Sequence, residues 1–398
     1  MAKIREGLRR DGRLKVQLFD HHDDVINARV LADFREHLGR LNCELVRSVT
    51  YTPTLQIHQV AASDTSVEQV LNHPGVRRAA PIPHFYALRH ASVPVSDPGS
   101  PSLPVPAPDQ DYPIVGLIDS GVADGCGPLQ GWIHARETFV AMDEQNREHG
   151  TFVAGLVVLG SDVNPAGMVD SGGPCHILDV IVIPNDDGAR GPVGTLTEDQ
   201  LVAVLRDVVP RYRDRVKVWN LSLGSEEICH DGAFTDFGQV LDALQYENAV
   251  QFVVAAGNLN TLPLRTWPPQ PLMGERDRIC APADSVVSVT VGALANARNV
   301  SSLVDVDEPA PFSRRGPGPA YIVKPEVVQY GGNCDATFGC LTTGVRSLDE
   351  AARVAEDIGT SFATPLVAGT LANVLASLDP PPSLNLAKAL DPCLSLSP

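Results

Sequence analysis

The chain has 398 residues, 43% hydrophobic and 20% charged, a balance that suits a globular protein with a sizeable core. Its net charge of −17 argues against a general nucleic-acid binder, because phosphate backbones attract basic surfaces, and with no run of about 18 apolar residues no transmembrane helix is expected. The charge is uneven: residues 1–92 carry 13 Lys/Arg against 10 Asp/Glu, a net of +3, which leaves −20 for the rest and favours docking of one part on the other.

The first 24 residues are basic in places but hold no continuous apolar stretch, so no secretory signal is read there and a cytoplasmic location is expected. Leu14, Val16 and Leu18 alternate as in a strand, and Val30, Phe34, Leu38 and Leu41 fall on one helical face. Two strand-like runs follow, Leu45–Val49 and Leu55–Val60. Thr65 and Glu68 then form a candidate capping box for a short helix, and a last strand is expected from Val76 to Phe85. The order β-α-β-β-α-β is that of a ferredoxin-like α+β domain. Asp20-His21-His22-Asp23-Asp24 is dense in potential metal ligands, but Asp23 or Asp24 also suits a helix cap, and the cap is preferred.

From Ala91 to Pro113 the chain holds seven prolines and little periodicity, which predicts an extended, exposed linker. Beyond it, IVGLID (114–119), HILDVIVI (176–183), VKVWNLSL (216–223), VQFVVAA (250–256) and VVSVTVGA (286–293) are apolar runs rich in β-branched residues. Both faces of such strands are buried, as in a parallel sheet covered by helices. Thr197 and Gln200 suggest a capped helix before LVAVLRDVV, and residues 361–377 read as a long buried helix. The fold class is therefore α/β, doubly wound, with a mostly parallel sheet and helices on both faces.

Four polar residues fall at the ends of these elements. Asp119 closes an apolar strand, where sites in open parallel sheets lie. His149 opens the helical run FVAGLVVLG. Ser361 opens the long helix, where backbone N–H groups suit an incipient oxyanion. Asn258 follows the strand and turn FVVAAGN. Taken singly, each is an ordinary turn residue or cap.

Their flanks make them specific. VGLIDSG, HGTFVAG, VVAAGN and GTSFATPLVAG resemble, in order, the four signature blocks of the subtilisin-like serine proteases, and PAPFSRRGPG and KPEVVQYGG are similar to two further family segments. The resemblance covers roughly residues 112–378. It implies a serine endopeptidase in which Ser361 is the nucleophile, His149 the general base, Asp119 its orienting partner and Asn258 an oxyanion donor. It also implies that Ser222, Leu223, Gly224, Ala255, Ala256 and Gly257 wall the pocket for the substrate residue before the scissile bond. Two departures stand out: Phe152 replaces a second histidine of the family, and Phe362 replaces a methionine. Neither position belongs to the triad.

The N-terminal segment resembles an inhibitor-I9-type prodomain. The resemblance therefore implies three parts: a prodomain-like domain at 1–92, a proline-rich linker at 93–112 and a subtilisin-like catalytic domain at 113–398. It further implies an intramolecular inhibitor, cut between about Tyr86 and Asp111. A polypeptide is the expected substrate, with no nucleic acid and no membrane as partner. Some intracellular members of the family work with a partner ATPase, so a regulatory partner of that kind is compatible. No cofactor is expected. Calcium enters by family analogy alone, since no DxDxDG-like loop is visible. The eight scattered cysteines lack zinc-like spacing and read as free thiols. The competing reading is a catalytically silent subtilase fold used as a protein-binding module.

Overall fold

The computed structural model describes residues 1–87, 92–97, 103–165, 168–169, 172–269, 274 and 276–378. The chain divides into two compact units, Met1–His84 with Thr197–Val202 and Phe85–Leu196 with Ala203–Pro398. Among the described residues no helix is long and apolar enough to cross a membrane.

The first unit begins with helix α1 (Ala2–Asp11), which sequence reading passed over. Gly12 ends it in the left-handed region, φ 65°, and donates its N–H to Leu8 O. Strand β1 (Arg13–Leu18), helix α2 (Asp24–Arg40), strands β2 (Glu44–Thr52) and β3 (Leu55–Ala61), helix α3 (Val67–Leu71) and strand β4 (Val76–Ala80) follow. The sheet order is β2-β3-β1-β4 with every pairing antiparallel, the ferredoxin-like arrangement. Asp23 caps α2 by accepting from Val25 N and Ile26 N, so the acidic stretch at 20–24 is used in helix starting. The expected capping box at Thr65 is absent. Helix α3 starts one residue later, from Ser66, and the Ser66 hydroxyl bonds back to Ser63. Leu8, Leu14, Val16, Phe34, Leu38, Val60, Val67 and Val70 form a core belonging to this unit alone.

The last strand expected here, Val76 to Phe85, is two strands. Pro81 and Pro83 bring no N–H to a ladder, so β4 stops at Ala80. Strand β5 (His84–Tyr86) joins a different sheet.

The remaining elements are β6 (Val93–Pro94), β7 (Ile114–Asp119), α4 (Gly127–Gln130), β8 (Ile133–Thr138), α5 (Glu148–Val163), β9 (His176–Ile181), β10 (Leu196–Thr197), α6 (Glu198–Tyr212), β11 (Val216–Leu221), β12 (Gly224–Ser225), α7 (Asp236–Asn248), β13 (Gln251–Ala255), β14 (Val289–Leu294), β15 (Val327–Tyr330), β16 (Val345–Leu348), β17 (Val354–Asp357) and α8 (Thr360–Ser377). Seven strands form a parallel sheet ordered β15-β14-β13-β11-β7-β9-β8. The chain enters at β7, builds outward through β8 and β9, and then crosses to β11, β13, β14 and β15. The strand order therefore reverses at β7 and β11, and a crevice at the carboxyl ends of such neighbours is where α/β sheets place their sites. Alternating residues face opposite sides. Val115 and Leu117 enter a core with α5 and α8, while Trp219 turns its indole over Gly116, where any Cβ would lie 2.3 Å from the ring.

Strand β8, IHARET, is too mixed in polarity to stand out in the sequence, and β15 is only four residues long. Strand β14 starts at Val289 rather than 286, because the Asp242 carboxylate takes the N–H groups of Val286 and Val287. The capping pattern at Thr197 holds in one direction, with Gln200 Oε1 accepting from Thr197 N at 2.9 Å.

The proline-rich stretch is extended and much of its described part is exposed, as expected, but it is not a free linker. Its described parts dock: β6 pairs with β17, the Trp132 indole N–H donates to Pro104 O, and Val93, Val95, Leu103 and Tyr112 pack on the α5/α8 core. Extended proline segments leave carbonyls free to accept, and the interleaved apolar side chains supply the burial. Part of the stretch, with Cys393 near the far end of the chain, lies outside the described residues. The other seven cysteines are unpaired.

Because the first unit has its own core, Phe34→Ala should destabilise it by about 3–5 kcal/mol. Hydrogen exchange should register this as faster exchange in β1 and β3, with protection in β7 and β11 unchanged. Equal loss across both units would mean that their cores do not act separately.

Candidate active site

Asp119 is the last residue of β7, a strand buried along its whole length. Its Oδ1 accepts from Ser120 N at 2.7 Å and lies 2.8 Å from Nδ1 of His149, and both side chains are buried. His149 is the second residue of α5. What brings the start of that helix so close to β7 is Gly150. A Cβ there would lie 2.5 Å from Gly121 O, so only glycine lets the two backbones meet. The Gly150 N–H donates to Ser120 Oγ at 3.0 Å. Thr151 completes the tether: its hydroxyl donates to Arg147 O and accepts from Ala123 N. The block His-Gly-Thr is thus a side chain, a close approach and a clamp.

Ser361 lies in the first turn of α8, and its neighbours fix its surroundings. Thr360 donates from both N–H and Oγ1 to Asn258 Oδ1, at 2.9 and 2.8 Å. With the oxygen of that amide occupied, Nδ2 is the end left to face elsewhere. A Cβ on Gly359 would sit 3.0 Å from that Nδ2, so glycine keeps the approach open. On the other side of Ser361, the Phe362 ring lies 5.4 Å from the His149 ring and 4.6 Å from Phe152. Ser361 O accepts from Ser222 Oγ at 2.8 Å, and that hydroxyl is itself held by Asn220 Nδ2.

Three polar atoms here are buried without any hydrogen-bond partner: His149 Nε2, Ser361 Oγ and Asn258 Nδ2. Asp119 Oδ2 is a fourth. Buried polar atoms are normally paired, and leaving one unpaired costs free energy, so several unpaired atoms clustered in one place call for an explanation. Ser361 Oγ and His149 Nε2 are not bonded to each other; each is left with hydrogen-bonding capacity for a third group.

The six residues expected to wall a pocket divide. Ser222 spends its hydroxyl anchoring Ser361, and Leu223 is buried. Gly224 pairs with Tyr86. Ala255 ends β13 and Ala256 packs with Cys229, Ile279 and Ala283. Gly257 has φ +97°, and a Cβ there would lie 2.9 Å from Arg314 Cδ and 3.6 Å from Cys280 Cβ. Arg314 and Cys280 are therefore neighbours of this wall that sequence reading missed, although Arg314 lies inside the quoted segment PAPFSRRGPG. The Arg314 guanidinium donates to the carbonyls of Asn258, Arg276 and Arg278 and so braces the turn. Burial pushes the Cys280 thiol up to about 11, so it stays protonated and behaves as an apolar group. Among the described residues no group of three or more His, Cys, Asp or Glu is placed to hold a metal ion.

A buried carboxylate beside an imidazole, a serine at a helix start and an oriented amide thus stand at the ends of elements of an α/β sheet. The subtilase family (Peptidase_S8) matches residues 111–384, and the chain belongs to this family of serine proteases. It is 26% identical over 219 residues to "Uncharacterized protein y4bN" of Sinorhizobium fredii (strain NBRC 101917 / NGR234), a match that covers 47% of this chain and spans only half the length of that protein. The solved structure titled "S41 Psychrophilic Protease" is similar with TM-score 0.48 and 21% identity, over 69% of this chain and 80% of that one.

The close approach at Gly150 is testable without any activity assay. Gly150→Ala should cost about 1–3 kcal/mol, the usual size of an overpacked core. It should also shift the His149 ring resonances in NMR spectra. A variant with unchanged melting temperature and unchanged His149 resonances would show that the backbones can part at no cost.

Proposed function

We propose that the chain is a serine endopeptidase that cleaves peptide bonds through an acyl-enzyme on Ser361. His149 takes the proton of Ser361 Oγ and returns it to the leaving amine. Asp119 holds the His149 Nδ1–H and stabilises the imidazolium. Asn258 Nδ2 and the Ser361 backbone N–H stabilise the tetrahedral oxyanion. The observation that carries this reading is the set of unpaired buried atoms, His149 Nε2, Ser361 Oγ and Asn258 Nδ2, held in place by partners that use the opposite end of each group. Each atom is left with the capacity its step requires. The wall around Gly257, Ala256 and the protonated Cys280 favours an uncharged residue before the scissile bond.

The enzyme is held latent by its own N-terminal segment, acting as an intramolecular inhibitor. Support comes from the course of the chain. Phe85 and Tyr86 pair antiparallel with Ser225 and Gly224, the strand next to the Ser222 anchor. Seven residues on, Val93 and Pro94 pair antiparallel with Glu356 and Ala355, the strand that leads into Ser361. A substrate would cross the site in this way, with one side of the scissile bond along β12 and the other along β17. The cut is placed among the six residues between the two pairings, Ala87 to Ser92.

Wild type and Ser361→Ala are to be expressed full length and weighed by intact mass spectrometry. Wild type should yield a cut within residues 87–92, and Ser361→Ala should remain whole. Two identical full-length species would sink self-cleavage. A fluorophosphonate probe should label Ser361 in the processed protein, and absent labelling would favour the silent binding module. Asn258→Ala should slow labelling and peptide cleavage by about 10²–10³, the size reported for losing such a donor in subtilisin itself.

A further inference from the structure

Strand β17 ends at Asp357, four residues before Ser361. Its carboxyl is buried, with 4% exposure, and its Oδ1 accepts from Ile358 N at 2.7 Å. Among the described residues no lysine, arginine or histidine forms an ion pair with it. Burial pushes the carboxyl well above the usual carboxylate range; the Ile358 amide pulls it back and the charge of Glu148 pushes it further up.

The register shows where this group lies. Asp357 is opposite Val345 and Ala355 opposite Ser347, so Ala355 and Asp357 share a face. Ser347 Oγ on that face donates to Phe152 O in α5. One turn earlier in α5 is Glu148, directly before His149. Arg190 pairs with other carboxylates: it bonds Glu148 Oε2 at 3.0 Å and Glu350 at 2.8 Å. Ser92 donates to Glu148 Oε1 at 3.2 Å, and the next residue, Val93, is opposite Glu356. The chain thus meets Glu148 at Ser92 and pairs with β17 from the residue next to Asp357, on the side of the site that leads away from β5.

We propose that Asp357, with Glu148 beside it, forms a subsite that selects a lysine or arginine side chain among the first two residues after the scissile bond. This rests on the endopeptidase reading and adds a substrate class to it. A buried carboxyl without a counter-charge is costly to ionise; an incoming ammonium or guanidinium supplies the charge, and a neutral side chain does not.

Peptides identical except for Lys, Arg, Leu or Asp at the first two downstream positions are to be measured in two ways. One is cleavage by the processed wild type; the other is binding by competition to Ser361→Ala nicked within residues 87–92 by an added protease, so that no tethered strand holds the cleft. Lys and Arg should be preferred over Leu by about tenfold or more in both assays, as for one charge-assisted bond. In Asp357→Asn the ratio should fall below about twofold. Equal use of Lys and Leu by wild type, or an unchanged ratio in Asp357→Asn, overturns the subsite. Should Asp357→Asn fail to fold, Glu148→Gln must lower the ratio in the same direction, and an unchanged ratio there overturns it as well. Cationic preference in binding with no cleavage and no probe labelling of wild type would sink the endopeptidase reading and leave the subsite standing.

Discussion

The contact between Gly150 and Gly121 sets the geometry on which the rest of the site depends. Two backbones meet there with no side chain between them, and the first turn of α5 is thereby held against the end of β7. The imidazole of His149 reaches Asp119 because the helix starts at that distance and not one side chain further out. Ser120 and Thr151 then secure the contact with hydrogen bonds from the loop to the helix. Helix α8 is placed by a comparable device, in which Gly359 lets the chain pass under Asn258 and Thr360 fastens the amide from below.

The two phenylalanines at which this chain departs from the family pattern turn out to be one feature. Phe152 and Phe362 lie 4.6 Å apart, and Phe362 also meets the His149 ring. An apolar side chain at one position makes an apolar side chain at the other favourable, since aromatic pairs in this geometry add to simple burial. Read separately they looked like two tolerated exchanges. Together they form a packed joint between α5 and α8, the helices that carry His149 and Ser361.

Much of this architecture was legible because it is local. Five of the seven sheet strands are continuous apolar runs, and Asp119, His149, Asn258 and Ser361 stand where those runs end or helices begin. What escaped is long-range. Strand β6 is two residues long and becomes a strand only because β17, some 260 residues later, offers it a ladder. The proline-rich stretch looked like a free linker because prolines report backbone conformation and say nothing about what Val93, Leu103 or Tyr112 will pack on. The break between β4 and β5 was foreshadowed by Pro81 and Pro83, yet the change of sheet was not. Asp357 closes the acidic stretch RSLDEAARVAED, whose composition flags an insert beside the site but does not say which carboxyl the fold buries without a cation.

The pairing of Tyr86 with Gly224 also has a kinetic side. A strand delivered by the same polypeptide competes for β12 at a fixed effective concentration, of millimolar order for short tethers, whatever the dilution of the protein. A separate peptide must match that local concentration before it displaces β5. Dilution cannot vacate the strand, whereas severing the covalent connection turns a permanent neighbour into a dissociable one. Occupancy of β12 is therefore governed by chain continuity, and a single broken bond between residues 87 and 92 would change it from a unimolecular to a bimolecular equilibrium.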